Sequence, residues 1–151
     1  MKSFKFCLYF LIPFLLLSCS DTSRKNSDDN SNNLNDPSEN NFSDYSVYKA
    51  YDNIKDYQNN SGIILLDVRT PEEYRTSHIK GSLLINFNSP DFEDQLSKLD
   101  RNKKYIVYCR VGNRSGKAVK IMENMKFIEA HNVSGGITEW QSNDLPLDFS
   151  R

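Results

Sequence analysis

The segment "YCRVGNRSGKAVKIM", residues 108–122, sets a thiol, two guanidinium groups, a glycine and a hydroxyl close together between two regular elements. Cys109 follows the strand formers Tyr105, Ile106, Val107 and Tyr108, and a helical pattern resumes at Arg114. A short turn feeding a helix points successive N–H groups inward, and the first helical N–H groups have no internal acceptors. Gly112 gives that turn backbone freedom. The expected result is a small cup of donors from Arg110, Val111, Gly112, Asn113, Arg114 and Ser115, with Cys109 at its base and the charges of Arg110 and Arg114 at its rim. Such a cup favours an anion, and the first anion it can hold is the thiolate. An ordinary cysteine, with a pKa of about 8.5, is only a few per cent ionised at neutral pH. A helix N-terminus and nearby arginines raise that fraction without a histidine base. The two histidines, His78 and His131, are not needed for the chemistry and read as structural.

The same donors suit the outer oxygens of thiosulfate, a sulfonate or a phosphate, or the terminal sulfur of a persulfide. The competing reading is an inert cysteine buried at a strand end. Cysteine usage bears on the choice. Of Cys7, Cys19 and Cys109, the first lies in "FCLYFLIPFLLL", an apolar run behind Lys2 and Lys5 that is short and interrupted at Pro13. That run is a poor bilayer span and a good export signal. It closes on "LLSCS", which resembles a bacterial lipoprotein signal. The resemblance implies cleavage before Cys19, a diacylglyceryl group on its sulfur, and, with Ser20 next, an outer-membrane anchor facing the periplasm. Residues 1–18 are then the signal, and Cys109 is the mature chain's lone thiol. Exported chains use cysteines mostly in pairs, so an unpaired one is either inert or reactive.

The elements that must position Cys109 follow from pattern. Residues 20–41, "SDTSRKNSDDNSNNLNDPSENN", contain 12 Asn and Ser in 22 positions and only Leu34 as an aliphatic. They cannot bury enough apolar surface to offset ordering entropy. The segment from Cys19 to residue 41 reads as a tether with a reach of roughly 25 Å. Residues 42–151 form one domain. Helical spacing is predicted over 49–59, 70–74, 89–99, 114–125 and 135–144, and apolar strand runs over 62–68, 82–87, 104–109 and 128–133. Thr70, Pro71 and Glu73 spell a capping box, and Ser89 with Pro90 looks like a second helix start. Apolar strands alternating with helices predict an α/β domain with a mostly parallel sheet and helices on both faces. Ligands of such sheets bind at the carboxyl ends of strands, where Cys109 stands. A formal net charge of −1 argues against a nucleic-acid partner.

Three stretches together resemble the rhodanese-like family. "CRVGNRSGKA" is similar to its active-site loop, C-R-x-G-x-R-S. "LLDVRTPEEYRTSHIKGSLLINF" (65–87) is similar to D-V-R-x-x-x-E-[YF]-x-x-G-H-I-x-G-A-x-N-I, and "NVSGGITEWQSNDLPL" (132–147) to L-x-G-G-x-x-x-W-x-x-x-G-x-P. The resemblance covers nearly the whole domain in order. It departs at Ser77 and at Asn143-Asp144, where glycines are usual. It implies that Cys109 accepts sulfur and that the amides of residues 110–115 cradle it. It makes Asp67 a support, sets Arg69 near the pocket mouth, and places Glu72, Tyr74, His78, Gly81 and Trp140 in the scaffold, with Gly135 and Gly136 in a tight turn.

Phosphatase members of this fold hold five residues between cysteine and arginine, whereas Cys109 and Arg114 bracket four. Tyr108 stands where phosphatase-like and arsenate-reducing members tend to carry histidine. Sulfur transfer is therefore expected over phosphoryl or arsenate chemistry, with a non-enzymatic persulfide carrier or docking module as the alternative class. The expected partners are a thiosulfate-like anion, a thiol acceptor, and the membrane through the lipid on Cys19. No metal, cofactor or oligomer is called for.

Overall fold

The computed structural model describes residues 40–55 and 62–149. The expected signal segment, Cys19, the tether through residue 39 and the last residues of the first expected helix lie outside the described residues. Among the described residues, no helix is long and apolar enough to cross a membrane. The chain runs β1 (Phe42–Tyr45), α1 (Val47–Lys55), β2 (Ile63–Asp67), α2 (Pro71–Thr76), β3 (Leu83–Leu84), α3 (Phe92–Ser97), β4 (Lys104–Tyr108), α4 (Asn113–Asn124), β5 (Glu129–Val133) and α5 (Gly136–Ser142).

The five strands are all parallel in the order β1-β5-β4-β2-β3. Helices cover both faces, as the apolar strand runs require. One face buries Phe92 and Leu96 of α3 with Ala118, Val119 and Met122 of α4 against Leu66, Tyr105 and Val107. The other buries Val47 and Ala50 of α1 with Ile137 and Trp140 of α5 against Leu65, Ile106 and Val133. From β2 the chain proceeds outward to β3, and from β4 it proceeds the opposite way to β5. The carboxyl ends of β2 and β4 therefore diverge and leave a crevice between their loops. Cys109 lies in that crevice.

Three expectations about elements need correction. The strand β1 was absent from the pattern reading: "FSDY" is short, has one polar alternation, and pairs on only one side, Phe42 with Ala130 through Tyr45 with Val133. The strand expected over 82–87 keeps only Leu83–Leu84 in the ladder. Beyond it, the Ile85 and Phe87 N–H groups donate to Asp67 O (2.9 Å) and Val68 O (3.2 Å), and the chain turns at Asn86–Ser89. The third helix starts at Phe92 with Asp91 as its N-cap. The Ser89 hydroxyl is diverted to the Asp91 side chain and caps nothing. The capping box of α2 is present in full: Thr70 Oγ1 accepts from the Glu73 N–H, and Glu73 Oε2 accepts from the Thr70 N–H.

Both histidines are structural. His131, 1% exposed, stacks on Tyr45 at 4.0 Å and bridges Ser43 and Glu129. His78 stacks on Tyr74 at 3.9 Å and pairs through its backbone with Asp148. Trp140, 1% exposed, is core, and its Nε1 donates to Pro146 O at 3.0 Å. Ser77 is extended (φ −167°), so no glycine is needed there, and Asp144 adopts φ 53° at the end of α5.

At the end of β2, Asp67 and Arg69 form a buried bidentate pair, with side chains 0% and 4% exposed. Asp67 Oδ1 also accepts from the Arg69 N–H at 2.8 Å, and Arg69 Nη2 donates to Ser77 O at 2.7 Å. Burial disfavours the guanidinium charge, but Asp67 outweighs it and raises the Arg69 pKa. Removing one partner of such a pair strands a buried charge, whereas replacing both does not. Arg69→Met is expected to lower unfolding stability by about 3–5 kcal/mol, and Asp67→Leu/Arg69→Met by clearly less. Urea unfolding of both variants measures the difference; equal losses would contradict the pairing argument.

Candidate active site

The Cys109 side chain sits where β4 ends, and the residue is 1% exposed. It is the free cysteine of the described residues. Gly112 precedes α4 with φ 89°, and a Cβ there would lie 2.0 Å from Ser134 O, so only glycine makes this turn. The turn sets the backbone N–H groups of Val111, Arg114 and Ser115 around the thiol, where each favours its ionised form. The buried Ser115 hydroxyl lies 3.3 Å from Sγ and 3.1 Å from Gly112 O, and its single proton is donated to one or the other. Burial pushes the thiol pKa up. The Ser115 hydroxyl and the three amides outweigh that and bring it below the ordinary value. The protein dipoles thus stand in for water around the thiolate and favour it over the thiol more than in an ordinary cysteine.

Aiming N–H groups inward requires the loop carbonyls to go elsewhere. Helix α5 takes them: the Ile137 N–H donates to Cys109 O at 2.9 Å and the Thr138 N–H to Arg110 O at 3.0 Å. These are orphan donors of the first turn of α5. The approach is close enough that a Cβ on Gly136 (φ 57°) would lie 2.5 Å from Cys109 O. The expected tight turn at Gly135 and Gly136 is therefore the loop's backing.

The two arginines differ from one another. Arg110 is exposed and, among the described residues, makes no ion pair. Arg114 is not a bare rim charge. Its Nη1 and Nη2 each donate to a Glu73 carboxylate oxygen at 2.7 Å. The proximity of the Cys109 thiolate also helps to raise the Arg114 pKa, after Glu73 itself. Glu72, assigned to the scaffold from its place in the motif, is instead exposed and pairs with Arg75. Glu73 is the acid that matters, and its register in D-V-R-x-x-x-E-Y could have shown it. Arg69 spends its Nε and Nη2 on Asp67 and Ser77. It lines a cleft of about 260 Å³ beside the loop with Glu73, Arg110, Ile137, Thr138 and Gln141. Val111 and Asn113 are exposed at the mouth. Tyr108 is buried, and its hydroxyl accepts from the Ile79 N–H and bonds Ser82 Oγ, tying β4 to the 79–82 turn.

The chain belongs to the rhodanese-like domain family, which matches residues 46–143. Among solved structures, a rhodanese-related protein from Thermoplasma volcanium is 30% identical with a TM-score of 0.61, covering 71% of this chain and 98% of that one. Thiosulfate sulfurtransferase 16, chloroplastic, from Arabidopsis thaliana is 33% identical over 91 residues, which are 54% of this chain and 76% of that protein. The probable adenylyltransferase/sulfurtransferase MoeZ of Mycobacterium tuberculosis is 32% identical over 84 residues, 56% of this chain; the match spans only 21% of MoeZ.

Hydrogen bonds from Arg114 bring the Glu73 pKa from 4.5 down to about 2. A depressed carboxylate contributes stability that is complete above its unfolded pKa and disappears as pH falls through the folded one. The wild type is therefore expected to lose stability between about pH 4.5 and 2 through this group. Glu73→Gln is expected to be less stable than wild type at neutral pH and to lack that component of the acid slope. Urea midpoints across this pH range check it, and parallel slopes for the two proteins would contradict it.

Proposed function

We propose that the protein is a sulfurtransferase that moves a sulfane sulfur from thiosulfate, or a similar small anion, to a thiol through a persulfide on Cys109. The observation that carries this reading is a nearly buried thiol at the start of α4, 3.3 Å from the Ser115 hydroxyl and framed by a turn that only Gly112 can make, with the neighbouring main-chain N–H groups favouring its ionised form. The relatives whose names include thiosulfate sulfurtransferase support the same class.

The chemistry is two-step nucleophilic catalysis. The Cys109 thiolate attacks the outer sulfur of thiosulfate. A new S–S bond forms, and the old one breaks with its electron pair leaving on sulfite. The terminal persulfide sulfur then carries the negative charge, and the amides of Val111, Arg114 and Ser115 can follow it by small shifts. An acceptor thiolate attacks that sulfur, taking it as its own persulfide, and Cys109 departs as thiolate into the same cradle. Cyanide can replace the thiol in an assay and leaves as thiocyanate. At 1% exposure, Cys109 admits a slim sulfur better than a phosphate tetrahedron. The short Cys109–Arg114 loop, with its guanidinium committed to Glu73, supports the same preference.

The proposal includes location: export by residues 1–18, lipidation of Cys19 and a tether that holds the domain off a membrane surface, in the outer membrane facing the periplasm. It rests on the signal-like sequence alone.

Cys109→Ser is expected to fold and to lose thiosulfate:cyanide turnover completely, and wild type treated with thiosulfate to gain a sulfur atom, roughly 32 Da, on the Cys109 peptide. Turnover retained in the variant would refute the assignment. An adduct without turnover would make the domain a persulfide carrier.

A further inference from the structure

A guanidinium presents its donors as a planar fork. The fork fits two oxygens of a phosphate, or of a similar tetrahedral oxyanion, as well as it fits a carboxylate. In this chain the protein fills the Arg114 fork itself: Nη1 and Nη2 donate to the two Glu73 oxygens, each at 2.7 Å. Those bonds hold the Glu73 pKa at about 2, so the acid is charged at neutral pH. Glu73 is also fixed from its own element, because its Oε2 accepts the Thr70 N–H in the α2 capping box.

The pair is open to solvent, with Glu73 27% and Arg114 23% exposed. Glu73 lines the cleft of about 260 Å³ beside the thiol loop, and Arg69 and Arg110 line it too. The space exceeds what a few waters fill. Charges around it are matched in two pairs, Asp67 with Arg69 and Glu73 with Arg114. Arg110 is exposed and makes no ion pair among the described residues. Without the Glu73 charge, the Arg114 fork would stand unoccupied in the first turn of α4, next to a cleft that already holds Arg110. A free arginine fork at a helix N-terminus is the recognition chemistry of a phosphate site. The Cys109 thiolate is close enough to help raise the Arg114 pKa, so an anion on that fork would sit beside the sulfur.

We propose that Glu73 is a specificity-determining residue that keeps phosphate-type oxyanions from the thiol site by occupying the Arg114 fork. Thiosulfate carries a three-oxygen group of the same kind. An open fork would hold it by those oxygens, whereas a filled one leaves the outer sulfur as the end that enters. Glu73 acts on the thiol through Arg114 and is a positioning residue. The inference deepens the sulfur-transfer reading and rests on it.

The test is protection of Cys109 from alkylation by a neutral reagent, in the full chain and read on the Cys109 peptide by mass spectrometry. Inorganic phosphate is compared with sodium chloride of equal ionic strength, which removes general screening. At about 10 mM, phosphate is expected to leave the wild-type rate unchanged. It is expected to slow Glu73→Gln by about fivefold or more, the effect of a dissociation constant of about 2 mM or tighter. Gln still offers an acceptor to the Thr70 N–H, so the α2 cap survives. Glu73→Met, similar in length and uncharged, is a second variant with the same expected result. Adding Arg114→Gln to either variant is expected to abolish the protection. A merely structural role for Glu73 would give none of these gains. Protection of the wild type, no protection in the folded carboxylate-free variants, or protection that survives loss of Arg114 overturns the proposal. Alkylation needs no turnover, so thiosulfate:cyanide turnover of the wild type reports separately on the sulfurtransferase reading.

Discussion

The structure depends on a rule of main-chain polarity. A peptide group that points its N–H toward the thiol must point its carbonyl away, and that carbonyl needs a partner if it is buried. Around Cys109 the partner is the first turn of α5. Ile137 and Thr138 take the carbonyls of Cys109 and Arg110, and the Arg110 carbonyl belongs to the same peptide group as the Val111 N–H, one of the amides that favour the ionised thiol. Two unsatisfied sets thus complete each other: the orphan donors of α5 meet the loop's carbonyls, and the orphan donors of α4 meet the sulfur. Glycine is required at 112 and 136 because both contacts are backbone to backbone at distances no Cβ would allow.

The second organising feature is the ion pair that closes the crevice between β2 and β4. Glu73 serves at once as the reciprocal member of the α2 capping box and as the bidentate partner of Arg114. It carries the position of the β2 loop, already braced by Asp67 and Arg69, over to the β4 loop. Its side chain and that of Arg114 remain 27% and 23% exposed, so the pair's energetic contribution is modest and its geometric one larger. Arg114 held in this way keeps its charge near the thiolate without collapsing onto it.

Much of this was legible before any coordinates. The strand runs at 62–68 and 104–109 are apolar throughout because both faces of a parallel sheet are covered, and that pattern has few other sources. The capping box at Thr70–Glu73 and the loop from Cys109 to Ser115 are local devices written in consecutive residues. What escaped was non-local. Strand β1 has only an edge role and little apolar signal, so nothing in "FSDY" announces it. Leu83–Leu84 stops pairing because the next amides are claimed by Asp67 and Val68, a tertiary choice. Arg114 looked like a rim cation since its acid lies 41 positions away. The placement of Glu72 in the scaffold was a register slip of one residue within an acidic pair, and the exposed Glu72–Arg75 contact shows how little that neighbour does. The backing by α5 was visible only as a pair of glycines.

The central claim is that the surrounding dipoles lower the Cys109 pKa despite its burial. Its most direct test is the pH dependence of alkylation of Cys109 by a neutral reagent, read on the Cys109 peptide by mass spectrometry so that other thiols do not contribute. The midpoint is predicted to fall below the ordinary thiol value of about 8.5. A midpoint at or above that value would mean that burial outweighs the amides, and the cradle would then be packing without chemistry.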